Sequence, residues 1–229
     1  MFARLGILDR HLFRLALCLD QISSRVSISG LGKWDNLIIT SSKKGLHVEL
    51  ELRRHDWARL RSFSDTTLLP EAIRALAAAT DKDTATAAYW RIDNVALQDG
   101  CLTESAVAVA SSIVQTLTKL SAPALRDALE LLVQISGGYV HEPGEHGLGP
   151  VTLEECVREV SLAFPFYVEL LETSADPLVH SACICLITAC GEQVDYLKAR
   201  SIYILSHALQ LPNMAPFQDL IRTSLRELE

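Results

Sequence analysis

The chain is predicted to be mainly α-helical, a series of repeated helical units with one small β-hairpin near the N-terminus. Three observations predict this. Hydrophobic residues fill 49% of the 229 positions and aromatics only 6%, so the apolar content is Leu, Ala, Val and Ile, which interdigitate between packed helices. Apolar residues recur at three- and four-residue spacing along most of the chain, the period of a helix with one buried face. The stretch Asp176-Pro177-Leu178-Val179-His180-Ser181-Ala182 also has a fainter copy around Pro123. In both, a basic or imidazole residue follows the Pro by three (Arg126, His180), then come Ala (Ala128, Ala182), Leu (Leu132, Leu186) and Gly (Gly137, Gly191).

Residues 3–24 predict an amphipathic helix with Leu5, Leu8, Leu12, Leu15, Leu19 and Ile22 as its stripe. In the turn after it, Gly30-Leu31-Gly32-Lys33 lacks the upstream Gly of a phosphate loop. Trp34 stands where a Ser or Thr would hold magnesium, which excludes a nucleotide site there. Leu37-Ile38-Ile39-Thr40 and the alternating Leu46-His47-Val48-Glu49-Leu50-Glu51-Leu52 flank a polar loop ending in Gly45 and predict the β-hairpin. Leu46, Val48, Leu50 and Leu52 would line its buried face. Residues 1–65 thus form an N-terminal part packed on a helical body, 66–229, the two making one compact unit. The basic tract from Arg53 to Arg61 is too short and too close to acidic residues for a nucleic-acid surface.

In the body, Pro70-Glu71 opens a helix. A second, 84–98, carries Tyr89 and Trp90 and stops at Asp99-Gly100, and a third covers 102–120. Ser121 caps a helix over 123–136 that Gly137-Gly138 ends. After a loop over 139–150, Thr152-Leu153-Glu154-Glu155 is a capping box opening a helix to about 172, which Pro165 must kink or split. Asp176 caps the next helix, closed by Gly191. Helices over 194–211 and 214–228 complete the chain.

No apolar run reaches the ~18 residues that cross a bilayer. Arg4, Asp9, Arg10 and Arg14 interrupt what would be a signal peptide's apolar core, so a cytoplasmic location and no membrane partner are expected. The six cysteines include no C-x-x-C, and Cys183, Cys185 and Cys190 miss zinc spacing; they read as small buried hydrophobes in a reducing compartment. The net charge of -7 conceals an asymmetry: residues 1–65 hold 11 Lys/Arg against 7 Asp/Glu, and the remainder 10 against 21. Such a body disfavours nucleic acid and suits a basic protein partner.

Pro123 and Pro177 stand 54 positions apart, as do Gly137 and Gly191. Setting aside the irregular 14 residues from Gly137 to Pro150 leaves 40, close to the ~40–47-residue period of HEAT and armadillo units. With Asp176-Pro177, Val179, His180 and Ala182 in this order, residues 85–211 resemble HEAT repeats. His180 occupies the family's basic position, and Ala122 replaces the turn Asp in the earlier unit. The resemblance implies a short HEAT-like α-α superhelix, an α-solenoid. Trp90-Arg91-Ile92-Asp93-Asn94 and Leu129-Glu130-Leu131-Leu132 with Ile135 further resemble HEAT-like immunity proteins of bacterial polymorphic-toxin systems. That implies a protein that neutralises a cognate toxin, here one with a basic domain, by direct binding. An intracellular HEAT-like scaffold or adaptor is the alternative, and a metal-dependent enzyme a third reading.

The third reading rests on His141-Glu142-Pro143-Gly144-Glu145-His146. Pro143-Gly144 prevents the helix that zincin motifs need, and the spacing misses H-x-x-E-H by one residue. No G-x-S-x-G and no Cys in a polar setting is present. We therefore expect no enzyme, metal or cofactor. The expected partner-binding residues are the polar positions Arg126, Asp127, Glu130, Gln134 and His180, with Tyr139, His141, Glu142, Glu145 and His146 of the loop.

Overall fold

The computed structural model describes residues 48–140 and 148–229. The expected helix at 3–24, the strand at 37–40 and the loop residues His141, Glu142, Glu145 and His146 lie outside them. Among the described residues the chain forms ten α-helices and one two-stranded antiparallel sheet. Residues 48–229 make one compact unit, so 48–65 belongs with the helical body.

Where the second strand of the hairpin was expected, the chain is helical: α1 spans Glu49–Arg54. The segment fits two periods at once, and the helical one prevails. Val48 and Leu52, four apart, are both buried, whereas Leu50, which a strand would turn inward beside them, is 84% exposed. Glu49 and Glu51 in the first turn and Arg53 and Arg54 in the last complement the helix dipole.

The β-hairpin lies instead at the centre of the chain. Strands β1 (Leu97–Gln98) and β2 (Cys101–Leu102) pair antiparallel around Asp99-Gly100. Both turn residues have positive φ, +51° and +78°, as a tight two-residue hairpin loop requires and as Asp-Gly readily supplies. The dipeptide expected only to stop a helix therefore reverses the chain.

The remaining helices follow local signals closely. α2 (Leu69–Ala78) has Pro70 in its first turn. α3 (Lys82–Ala96) is capped by Asp81, which accepts from the Thr84 amide. α4 (Ser105–Val114) gives way to a 3₁₀ turn at Leu117–Lys119, so the expected single helix ends early. Ser121 caps α5 (Ala122–Gly137). The Thr152–Glu155 capping box opens α6 (Leu153–Ser161), and Pro165 lies in the first turn of a separate α7 (Phe164–Thr173). α8 (Pro177–Gln193) is capped by Asp176 and followed by α9 (Asp195–Ala208), a 3₁₀ segment (Pro212–Phe217) and α10 (Gln218–Leu228).

α8 lies at the centre of the packing: α5, α6, α7, α9 and α10 all rest on it, and every residue from Val179 to Gly191 is buried. Its runs of Ile, Leu, Ala and Cys are apolar all round, as a fully enclosed helix must be. Gly191 does not close this helix but sits inside it. A Cβ there would meet Ser201 Cβ at 2.7 Å and Leu228 Cδ2 at 2.8 Å, so the missing side chain lets α9 and α10 approach. Elsewhere α2 packs on α3, α3 on α5, and α4 on α6.

Candidate partner-binding surface

Four of the expected residues lie on α5, where three- and four-residue spacing aligns Asp127, Glu130 and Gln134 on one flank. That flank meets α3, which presents Thr86, Tyr89 and Asp93 at the same spacing. Thr86 Oγ1 donates to Asp127 Oδ2 at 3.2 Å. Gln134 Nε2 donates to the Tyr89 hydroxyl and lies 3.5 Å from Glu130 Oε1. Beside the seam Trp90 is 53% exposed, its ring edge-on to Tyr89 with centroids 5.0 Å apart.

The seam concentrates half-buried negative charge. Burial, with Glu130 and Asp99 nearby, pushes the Asp93 carboxyl up to about 6. Burial also raises Glu130, with Asp127 adding to it, and raises Asp127 against the pull of Thr86, Arg126 and Lys82. Among the described residues no Lys or Arg closes an ion pair with any of the three. Asp93 was not among the expected residues. Its helical register with Tyr89 is visible in the sequence, but the rotation that turns both toward α5 is set by tertiary packing.

The other expected residues are placed differently. Arg126 sends Nε and Nη2 to Asp176 Oδ2, the former at 3.1 Å, while Asp176 Oδ1 accepts from the Leu178 amide at 2.9 Å. Its guanidinium therefore ties α5 to the cap of α8. His180 is a core residue, 3% exposed and edge-on to Phe217 at 5.8 Å, and Nε2 finds no hydrogen-bond partner among the described residues. Enclosure of α8 on every side leaves it no surface to offer a partner. Tyr139 is half-buried; its backbone donates to Gly100 O at 3.0 Å and accepts from Leu102 N at 2.8 Å, laying the chain beside β2. Leu148 O accepts from Glu104 N at 3.0 Å, so both described ends of the 139–150 loop are tied to the hairpin segment.

No family model, curated protein or solved structure matches this chain. Among the described residues no cluster of three His, Cys, Asp or Glu is arranged to hold a metal, and no helix is long and apolar enough to cross a membrane. One unexpected constellation joins Glu51, His55 and Ser111. Glu51 Oε1 at 3.3 Å and Ser111 Oγ at 3.0 Å both meet Nε2 of His55. A nucleophile–base–acid relay needs the hydroxyl on one ring nitrogen and the carboxylate on the other, so this is not such a relay. The Glu51–His55 spacing is visible in the sequence; Ser111, 56 positions away, gives no signal. Burial pushes the thiols of Cys156 and Cys190 up to about 12, which removes them as nucleophiles at neutral pH.

Proposed function

We propose that the protein is a binding module, a short HEAT-like solenoid that neutralises a cognate bacterial toxin in the cytoplasm by gripping a basic surface of it. The observation that carries this reading is the α3–α5 seam, where Asp93, Asp127 and Glu130 are half-buried and, among the described residues, make no ion pair. Half-burying carboxylates without ion pairs costs folding free energy. A partner's Arg or Lys side chains would supply those charges, and the exposed Trp90 beside them adds an aromatic wall of the kind that anchors interfaces.

The order of packing supports the solenoid part of the reading. α3 rests on α5, α5 on α8 and α8 on α10, while α4 rests on α6, as in stacked helical hairpins whose inner members form one row. The Arg126–Asp176 pair joins consecutive inner helices of that row.

Co-expression with the toxin encoded beside its gene tests the proposal. The native chain should restore growth and co-purify with the toxin, and Glu130→Lys, which sets a cation among the seam's two remaining carboxylates, should lose both while remaining folded. Continued killing with no complex at micromolar concentration would sink the reading.

A further inference from the structure

The outer face of α9 carries a regular ridge of side chains. Tyr196 and Tyr203, seven positions apart, are 78% and 63% exposed. Also seven apart stand two small residues, Ala199, which is exposed, and Ser206, which is partly so. Leu197, Ser201, Leu205 and Ala208 on the opposite face are buried where α9 packs on α8 and α10. Helical spacing therefore points the ridge away from the body.

The ridge is ordered in advance. The His207 ring stacks on Tyr203 with centroids 4.1 Å apart and a tilt of 33°, and its Nδ1–H donates to Tyr203 O at 2.8 Å. On the flank, the Arg200 guanidinium rests over the Phe164 ring of α7, 5.3 Å from its centroid. Side chains already fixed in the free chain lose little freedom when a partner covers them.

Large and small residues alternating at heptad spacing make this surface complementary to itself. In an antiparallel helix pair, each row faces the other row of the second helix. With a two-fold axis at the level of Ser201, Tyr203 of each copy enters the gap over Ala199 of the other, and Tyr196 lies against Ser206. A parallel pair would set Tyr against Tyr and leave the gaps unfilled. We propose that α9 is a self-association face, joining two copies antiparallel in a closed dimer. Covering Tyr196, Tyr203, Arg200 and His207 of both copies removes on the order of 1,000 Å² of surface, close to the lower bound for a specific interface. The dimer is therefore weak and reversible, forming at micromolar concentration. Flanking positions meet their own kind, so the two Arg200 side chains approach each other near the axis, each within reach of the other copy's Tyr203 ring. No residue of the α3–α5 seam takes part, and the dimer stands independently of the toxin reading.

Sedimentation equilibrium of the full chain tests this. The native chain should pass from monomer to dimer, and no further, as its concentration rises through the micromolar range. Ala199→Gln suits a helix and lies at an exposed position, but it fills the gap that Tyr203 enters and should weaken association about tenfold; circular dichroism confirms that the variant is folded. Arg200→Glu provides a separate arm. Mixed with labelled native chain, it should form hetero-pairs about threefold tighter than either chain forms alone, because two like charges at the axis become an Arg–Glu pair. A native chain that stays monomeric throughout the micromolar range, or assembles beyond dimers, overturns the proposal. So does a dimer indifferent to Ala199→Gln, or a mixture without preference for hetero-pairs.

Discussion

At Asp93 the fold keeps a carboxylate where ionisation opposes folding. With a folded-state pKa of about 6 against an ordinary 3.8, the folded chain holds a proton that the unfolded chain gives up as pH rises between those values. Stability is therefore lost across that window and stays reduced above it. Asp93→Asn should raise stability at pH 7 by about 1–2 kcal/mol after discounting for solvent screening, and by almost nothing below pH ~4; urea denaturation across pH 4–8 checks both arms. If a basic partner docks there, its cation favours the ionised carboxylate, so binding near and below pH 6 must release a proton. Affinity should then fall as pH drops from 7 to 5, and calorimetry in buffers of differing ionisation enthalpy should count that proton. Asp127, Glu130 and Gln134 were legible as one flank because helix spacing fixes it. His180 shares the pattern of Arg126 yet lies inside, since the pattern records the position on a helix and not what encloses that helix.

Element boundaries were legible wherever a side chain reports directly on the backbone. Ser121, Thr152 with Glu155, and Asp176 each cap the helix they announce, and Pro165 divides the segment that contains it. Thr152→Ala should cost about 1 kcal/mol, whereas Asp176→Ala removes a cap and the acceptor of Arg126 together and should cost about 1–3 kcal/mol. Thermal melts of the two variants give the comparison. Alternation in Leu46–Leu52 misled because four-residue spacing is contained in two-residue spacing, so Val48 and Leu52 fit either structure. Gly191 misled for another reason: a glycine that ends a helix and one that admits a neighbour look alike in sequence. Gly191→Ala must displace Ser201 or Leu228 and should destabilise by about 1–3 kcal/mol, seen as a lower denaturant midpoint with an unchanged slope.

For the molecule, the mainly helical class followed from composition and period, while the order in which helices meet depends on contacts far apart in sequence. α8 illustrates the difference. Its apolar content says that it is buried, but five separate helices do the burying. Leu186→Ala at its centre should cost about 2–5 kcal/mol, and because so many elements share that helix, fluorescence and circular dichroism should record the loss in one coincident transition. The same centrality bears on biosynthesis. α8 emerges from the ribosome ahead of α9 and α10, with an apolar surface on all sides and only part of its cover available. Nascent chains halted before Gln218 would carry that surface exposed, making them candidates for chaperone capture or aggregation. Synthesis through α10, rather than formation of any one helix, is then the step that completes the cover of α8.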